Sequence, residues 1–229
     1  MAARKRASVA TTTDAKQGKD VKLPALQIQR MTVRVKSLSP LIVNAFSVKS
    51  KEEMAAKQQK QARLAKEAKD PVACFNAARY IVDGKDCVTA ITVKKAIMTA
   101  ATFADEFKSH IGMALFVRGS ESNGDFIPIK SAKPRMREDV VRVGTMTKTA
   151  DLRYRPEYVD WKMEFVVEFN ARVLTADQVL NLVSIAGFSC GICEWRPQKG
   201  GGDYGRFELD MKGARSGGED VDLSAAAEE

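Results

Sequence analysis

The stretch from Gly187 to Phe207 constrains this chain more than any other. It follows an apolar helical segment and reads Gly-Phe-Ser-Cys-Gly-Ile-Cys-Glu-Trp-Arg-Pro-Gln-Lys-Gly-Gly-Gly-Asp-Tyr-Gly-Arg-Phe. Gly191, Gly200, Gly201, Gly202 and Gly205 are set among Trp195, Arg196, Lys199, Tyr204 and Arg206. A packed core does not require that mixture. Glycine has no Cβ, so it permits positive φ and lets backbone N–H groups approach a bulky anion. Arginine and lysine supply charge for phosphates, and aromatic rings offer faces for bases. A second reading stands beside this one: a hairpin loop that needs glycines for its turns and keeps its charges in water.

The formal net charge of +8 favours an acidic partner such as nucleic acid, and a hydrophobic content of 45% fits a globular domain. No run approaches the ~18 apolar residues needed to span a bilayer. The segment Met1 to Gly18 has basic residues but no apolar stretch behind them, so it does not read as a secretory signal, and the expected location is the cytoplasm. Cys190 and Cys193 form a C-x-x-C, but Cys74 and Cys87 lie far off and His110 is the only histidine. The pair therefore reads as small buried apolar residues, with no metal or cofactor implied.

Taken in order, residues 1–26 lack an apolar period and read as a disordered basic arm, followed by one α+β domain over 27–210. Met31, Val33 and Val35 alternate with polar residues as in a half-buried strand. Ser50 and Glu53 have capping-box spacing before a Lys/Glu/Gln/Ala-rich helix over 50–69. Its apolar stripe is thin, so it projects, either as a solvated helix or as an arm on phosphate. Tyr80 to Val82 and Cys87 to Thr89 flank Asp83-Gly84 as a hairpin. Thr92 opens a helix, and Ile111 to Val117 and Phe126 to Ile129 read as paired strands.

Residues 130–158 form the second informative region, a basic finger light in core-forming residues. Lys130, Lys133, Arg135, Arg137, Arg142, Lys148, Arg153 and Arg155 stand there against Glu138, Asp139 and Asp151. Nucleic-acid contact and a solvated loop both account for it. Trp161 to Phe169 then alternates cleanly, Thr175 caps an apolar helix, and Arg206 to Leu209 closes as a strand. Residues 211–229 read as a disordered acidic tail. The element order fits a ferredoxin-like antiparallel sheet with helices on one face.

The closing unit resembles the signature of the RAMP superfamily, the RNA-binding proteins of CRISPR effector complexes, whose RRM-like domain ends in a helix and a glycine-rich loop. Gly191-Ile192-Cys193 stands as the first glycine element, Arg196 and Lys199 as the basic residues, and Gly202 to Arg206 as the second element. Cys193 replaces a glycine of that pattern, and the intervening segment is longer. The strand leading to Ser39-Pro40-Leu41 is also similar to that family's first strand. The resemblance implies a RAMP-like fold and head-to-tail assembly along a strand. Lys69-Asp70-Pro71, Arg137 to Gly144, Ala150 to Arg155 and Glu194 to Pro197 resemble segments of uncharacterised tailed-phage and prophage proteins, which implies a phage origin and the host cytoplasm.

No Walker loop or Ser/His/Asp set is found, and Glu138, Asp139, Asp151 and Asp160 follow no metal-ligand spacing. The expectation is a non-enzymatic protein that grips single-stranded RNA or DNA, without a membrane or small-molecule substrate. Arg135, Arg137, Arg142, Lys148, Arg153, Arg155, Arg196, Lys199 and Arg206 would meet phosphates. Trp195 and Tyr204 would stack on bases, and Gly200, Gly201 and Gly202 would give the backbone access. The alternative is a phage structural or interaction protein.

Overall fold

The computed structural model describes residues 26–46, 48–60, 68–119, 124–143, 149–199, 201–210 and 215–216. Lys148, Gly200, nearly all of the arm at 1–26 and most of the tail at 211–229 lie outside them.

The core is a split β-α-β arrangement made twice. Strand β1 (Ile28–Ser37) pairs antiparallel with β9 (Lys162–Asn170) along its whole length, from Ile28 opposite Asn170 to Lys36 opposite Lys162. Strand β10 (Phe207–Leu209) lies on the far side of β1, and β5 (Leu115–Gly119) on the far side of β9. The helix α3 (Ala90–Ala100) leads from β1 toward β5, and α5 (Ala176–Ile185) leads from β9 to β10. The order β10-β1-β9-β5 with these crossovers is a ferredoxin-like fold.

Period-2 alternation in β1 and β9 turns Met31, Val33, Val35, Met163, Phe165, Val167 and Phe169 to one face, where all are buried. Helices α3 and α5 cover that face with Val93, Ala96, Ile97, Val179, Leu182 and Val183. Thr175 starts α5 as a capping box: Gln178 N–H donates to its hydroxyl at 3.2 Å, and the Gln178 side-chain oxygen accepts from Thr175 N–H at 3.0 Å. The opposite sheet face is laced by Arg30–Glu168 at 2.8 Å, Arg34–Glu164 at 2.8 Å and Lys36–Glu208 at 3.0 Å. That face therefore presents neutralised charge.

Two insertions decorate the core. The first comprises β2 (Leu41–Ile42), α1 (Val48–Gln58), α2 (Pro71–Ala77), β3 (Tyr80–Val82) and β4 (Lys85–Thr89). Asp83 and Gly84 turn the β3–β4 hairpin with φ of 50° and 73°, as an Asp-Gly turn requires. The second holds β6 (Phe126–Lys130) and the long hairpin of β7 (Arg135–Val143) and β8 (Thr149–Tyr158). Strand β2 extends that hairpin into a three-stranded sheet.

Four expectations need correction. Residues 111–114 belong to the helix α4 (Lys108–Ala114), because Ile111 and Ala114 bury at helical spacing and strand alternation begins only at Leu115. Strands β5 and β6 do not pair with each other; both pair with β9. The helix read over 50–69 starts at Val48, ahead of Ser50, and its described part ends at Gln58, with Lys60 just beyond at a left-handed φ of 57°; residues 61–67 of that reading lie outside the described residues. Asp70 instead caps α2, accepting from Val72 N–H at 2.9 Å. Within the tail, β11 (Arg215–Ser216) pairs with Met31 and Thr32, the part of β1 that β10 leaves open.

Trp161 joins the two sheets. Its buried indole donates to the Ser39 carbonyl at 2.9 Å and its ring meets Phe207 edge-on at 6.2 Å. Changing Trp161→Phe strands that carbonyl, and urea unfolding should show a loss of about 1–3 kcal/mol with the circular dichroism spectrum unchanged.

Candidate nucleic-acid interface

The chain leaves α5 through a π-helical turn (Ala186–Cys190), after which the glycine-rich segment folds back on itself. Ile192 is fully buried and its N–H donates to Gly205 O at 3.0 Å. Gly205 N–H reaches Pro40 O at 2.8 Å, Glu194 N–H reaches Ile42 O at 3.1 Å, and Tyr204 N–H reaches Trp195 O at 3.2 Å. A Cβ at Gly202 would stand 1.8 Å from Trp195 O, and one at Gly205, where φ is 69°, would stand 2.0 Å from Ile192 O. These glycines are required for close backbone approach within the protein. The N–H groups of Gly191, Gly201 and Gly205 are taken up within the protein, donating to the carbonyls of Ala186, Pro197 and Pro40. Of the three glycines expected to present N–H groups to a phosphate, Gly201 therefore has its own committed, while Gly200 lies outside the described residues.

The loop's side chains remain available in part. Lys199 is exposed and makes no ion pair among the described residues, and Trp195 is 40% exposed. Arg196 donates to Cys193 O at 2.7 Å and leans on the Gln198 side chain at 3.4 Å, which fixes its direction. Arg206 pairs with Asp203 at 2.8 Å and lies over the Phe188 ring at 4.8 Å.

The β7–β8 hairpin is two-faced, because its register sets Arg135 opposite Glu157, Arg137 opposite Arg155 and Asp139 opposite Arg153. That face carries four arginines matched by Asp139, Asp151 and Glu157. Arg135 meets Glu157 at 2.5 Å, Arg137 meets Asp139 at 2.7 Å, and Arg153 stands 3.8 Å from Asp151. The other face holds Met136, Glu138, Val140, Arg142, Leu152 and Tyr154. Val140 is 65% exposed there, and Arg142 stands apart from the other named arginines, with no ion pair among the described residues.

Loop and hairpin meet at Arg137. Its guanidinium donates to the Tyr204 hydroxyl at 2.8 Å, sits 4.8 Å from that ring's centre, and also reaches Glu157 at 3.2 Å. Asp139, followed by Tyr204, raises its affinity for the proton. Tyr204 is thus a partner of Arg137 across the junction. Arg155 lies beneath, only 3% exposed, with Asp139 at 3.5 Å. Burial lowers its pKa, and the charges of Glu194 and Asp139 oppose that effect. Arg155 is turned away from any phosphate at the surface.

Among the described residues, no cluster of three or more His, Cys, Asp or Glu side chains is placed to hold a metal ion. Cys190 is buried and Cys193 partly so, both as free thiols; burial pushes the Cys190 thiol up and the Cys193 thiol up to about 12. Asn44, Tyr80 and Lys95 also come up beside Arg196, lining one cleft with it. No local pattern marks these three. Long-range packing brings them in: Asn44 follows β2, Tyr80 lies in β3 and Lys95 on α3.

No protein-family model and no curated protein matches this chain. Among solved structures, a chain of the cryo-EM structure of the Type III-B Cmr-beta bound to cognate target RNA superposes with a TM-score of 0.51 at 7% identity, over 82% of this chain and 60% of that one. This chain therefore spans somewhat less than two thirds of that neighbour's length. The crystal structure of Cmr6 from Pyrococcus furiosus aligns over 81% of this chain and all of its own, at 11% identity and a TM-score of 0.41. Identities this low speak to fold alone, and the shared fold is ferredoxin-like. The resemblance to phage and prophage proteins finds no support in these comparisons. Among the described residues, no helix is long and apolar enough to cross a membrane.

Two outcomes follow from the loop's packing. Gly202→Ala must push Trp195 away and should cost about 1–3 kcal/mol in thermal or urea unfolding. A thiol reagent at pH 8 should leave Cys193 unlabelled in the native protein and label it on unfolding, since a thiol titrating near 12 carries almost no thiolate there.

Proposed function

We propose that this protein is a non-enzymatic binder of single-stranded nucleic acid. The observation that carries the reading is the Arg137–Tyr204 contact, which joins the glycine-rich loop to the base of the long hairpin although 67 positions separate them. A strand lying along that junction meets the outward Lys199, Arg196 and Trp195 on one side and the arginine-bearing hairpin face on the other. Lys199 and Arg196 engage phosphates, and Trp195 offers a ring to a base. Arg135 and Arg153, each with a carboxylate partner, contribute less than their number implies, because a paired guanidinium gives up its partner or shares it. The ferredoxin-like fold supports the reading, and a solved neighbour of that fold is a complex bound to target RNA. Head-to-tail association along the strand, a phage origin and a place in the host cytoplasm belong to the same proposal and rest on sequence resemblance.

A second reading, an interaction protein, is favoured by the apolar side of the hairpin, where Met136 is 50% and Val140 65% exposed. The two separate on one experiment. Fluorescence anisotropy with labelled single-stranded RNA, single-stranded DNA and duplex DNA should give binding to single strands that weakens steeply with salt. Lys199→Ala should lower the affinity for all sequences alike and reduce the salt slope by about 1. Absence of binding to every strand at low salt would sink the proposal and leave the apolar hairpin face as the functional surface.

A further inference from the structure

A cleft of about 230 Å³ opens between α3 and the glycine-rich loop, lined among others by Asn44, Tyr80, Lys95, Glu194, Arg196 and Gln198. Its volume lies below the ~300–1,000 Å³ of sites for drug-sized ligands. It suits one flat ring and excludes a stacked pair. Its walls are unusual for a crevice between packed elements. Asn44, Lys95 and Glu194 all line this one space, and none of their side chains makes a hydrogen bond or salt bridge among the described residues, although buried Arg155 feels the charge of Glu194. Arg196 is tied to Cys193 O through one nitrogen and to Gln198 through another, and Gln198 is anchored to Thr99 at 3.2 Å. Arg196 and Gln198 are thus held in place on one wall.

We propose that this cleft receives a single guanine base from a strand held on the loop, an inference that rests on the nucleic-acid reading above. The Glu194 carboxylate only accepts, and guanine places N1–H and the N2 amino group side by side as donors to it. The Asn44 amide donates to O6 next to them, and Tyr80 forms an aromatic wall. Lys95 and Arg196 balance the carboxylate and meet the phosphates flanking the base. Adenine sets the bare N1 lone pair against the carboxylate. Uracil flanks its one N–H with two carbonyl oxygens, and cytosine pairs its amino donor with the N3 acceptor. Each of these leaves Glu194 facing a lone pair, so the site rejects them by repulsion as well as by lost bonds.

The test uses the full chain and short oligo-U strands in which one central residue is replaced by G, A or C, with anisotropy as the readout. The guanine strand should bind about tenfold more tightly than the all-U strand, and the A and C strands should not. Glu194→Gln, which keeps the side chain's shape, and separately Asn44→Ala should bring the guanine strand down to the all-U value. Lys95→Ala, on a helix surface, should weaken all four strands equally. Thermal melts of each variant identify any that fail to fold. Equal binding of all four strands by the unaltered protein overturns the base pocket while leaving nucleic-acid binding intact. A guanine preference that survives both Glu194→Gln and Asn44→Ala overturns its assignment to this cleft. Failure of every strand to bind overturns the nucleic-acid reading and the pocket with it.

Discussion

The architecture depends on how closely backbone can pass backbone at Gly202 and Gly205. Without a Cβ at these positions, the segment after α5 folds onto Trp195 and Ile192 and then onto Pro40. That contact fixes more than a loop. Leu38 N–H donates to Arg206 O and Glu194 N–H to Ile42 O, so the start of the first insertion is stitched to the end of the core. Val43 N–H in turn donates to Pro156 O, which carries the same connection into the long hairpin. A single methyl at Gly202 therefore disturbs a path running from the main sheet through the loop to the second sheet. The glycines give this region definition, where the sequence alone invites the opposite picture of a supple loop.

Net charge and usable charge differ here for a structural reason. The chain carries +8, yet its arginines are heavily committed. Arg30, Arg34 and Lys36 face Glu168, Glu164 and Glu208 across β1, β9 and β10, and four hairpin arginines share three carboxylates. The open face of the sheet, where an RRM-like domain would be expected to display aromatic platforms, is closed off by these pairs. Lys199 at the glycine-rich loop and Lys95 on the adjoining flank of α3 stay unpaired among the described residues, as does Arg142 on the other face of the hairpin.

The parts of this structure legible in the sequence are those governed by local periodicity. Alternation in Met31 to Val35 and in Trp161 to Phe169 marked the two central strands, and the Thr175 cap, the Asp83-Gly84 turn and the closing strand followed from short-range chemistry. Residues 111–117 were not legible, because a short apolar run fits a buried helix turn and a buried strand alike, and only the packing of Ile111 and Ala114 separates them. For the site, Trp195, Arg196 and Lys199 were visible as residue types. The inward turn of Arg155 was not, since it depends on which hairpin face meets the loop. Asn44, Tyr80 and Lys95 carry no local signal at all; they come beside Arg196 only through long-range packing, Asn44 after β2, Tyr80 in β3 and Lys95 on α3.

The buried pair of Arg155 and Asp139 is the feature that core packing explains least. Both are nearly inaccessible, at 3% and 6% exposure, and Arg155 Nε and Asp139 Oδ2 have no hydrogen-bond partner within the protein. Removing charges from water costs several kcal/mol per ion, and a contact of 3.5 Å with unsatisfied atoms recovers that poorly, so the pair is a weak source of stability. Its geometry has a different consequence. Arg155 feels Glu194 from the loop and Asp139 from the neighbouring strand at once, while Arg137 on the same face holds Asp139, Glu157 and Tyr204. Swinging the hairpin away would separate these charges in a poorly solvated space. Sliding its register by one residue would send every arginine to the opposite face. The ionic junction therefore selects one angle and one register for the hairpin relative to the glycine-rich loop, which keeps two surfaces that are remote in sequence aligned along a common line.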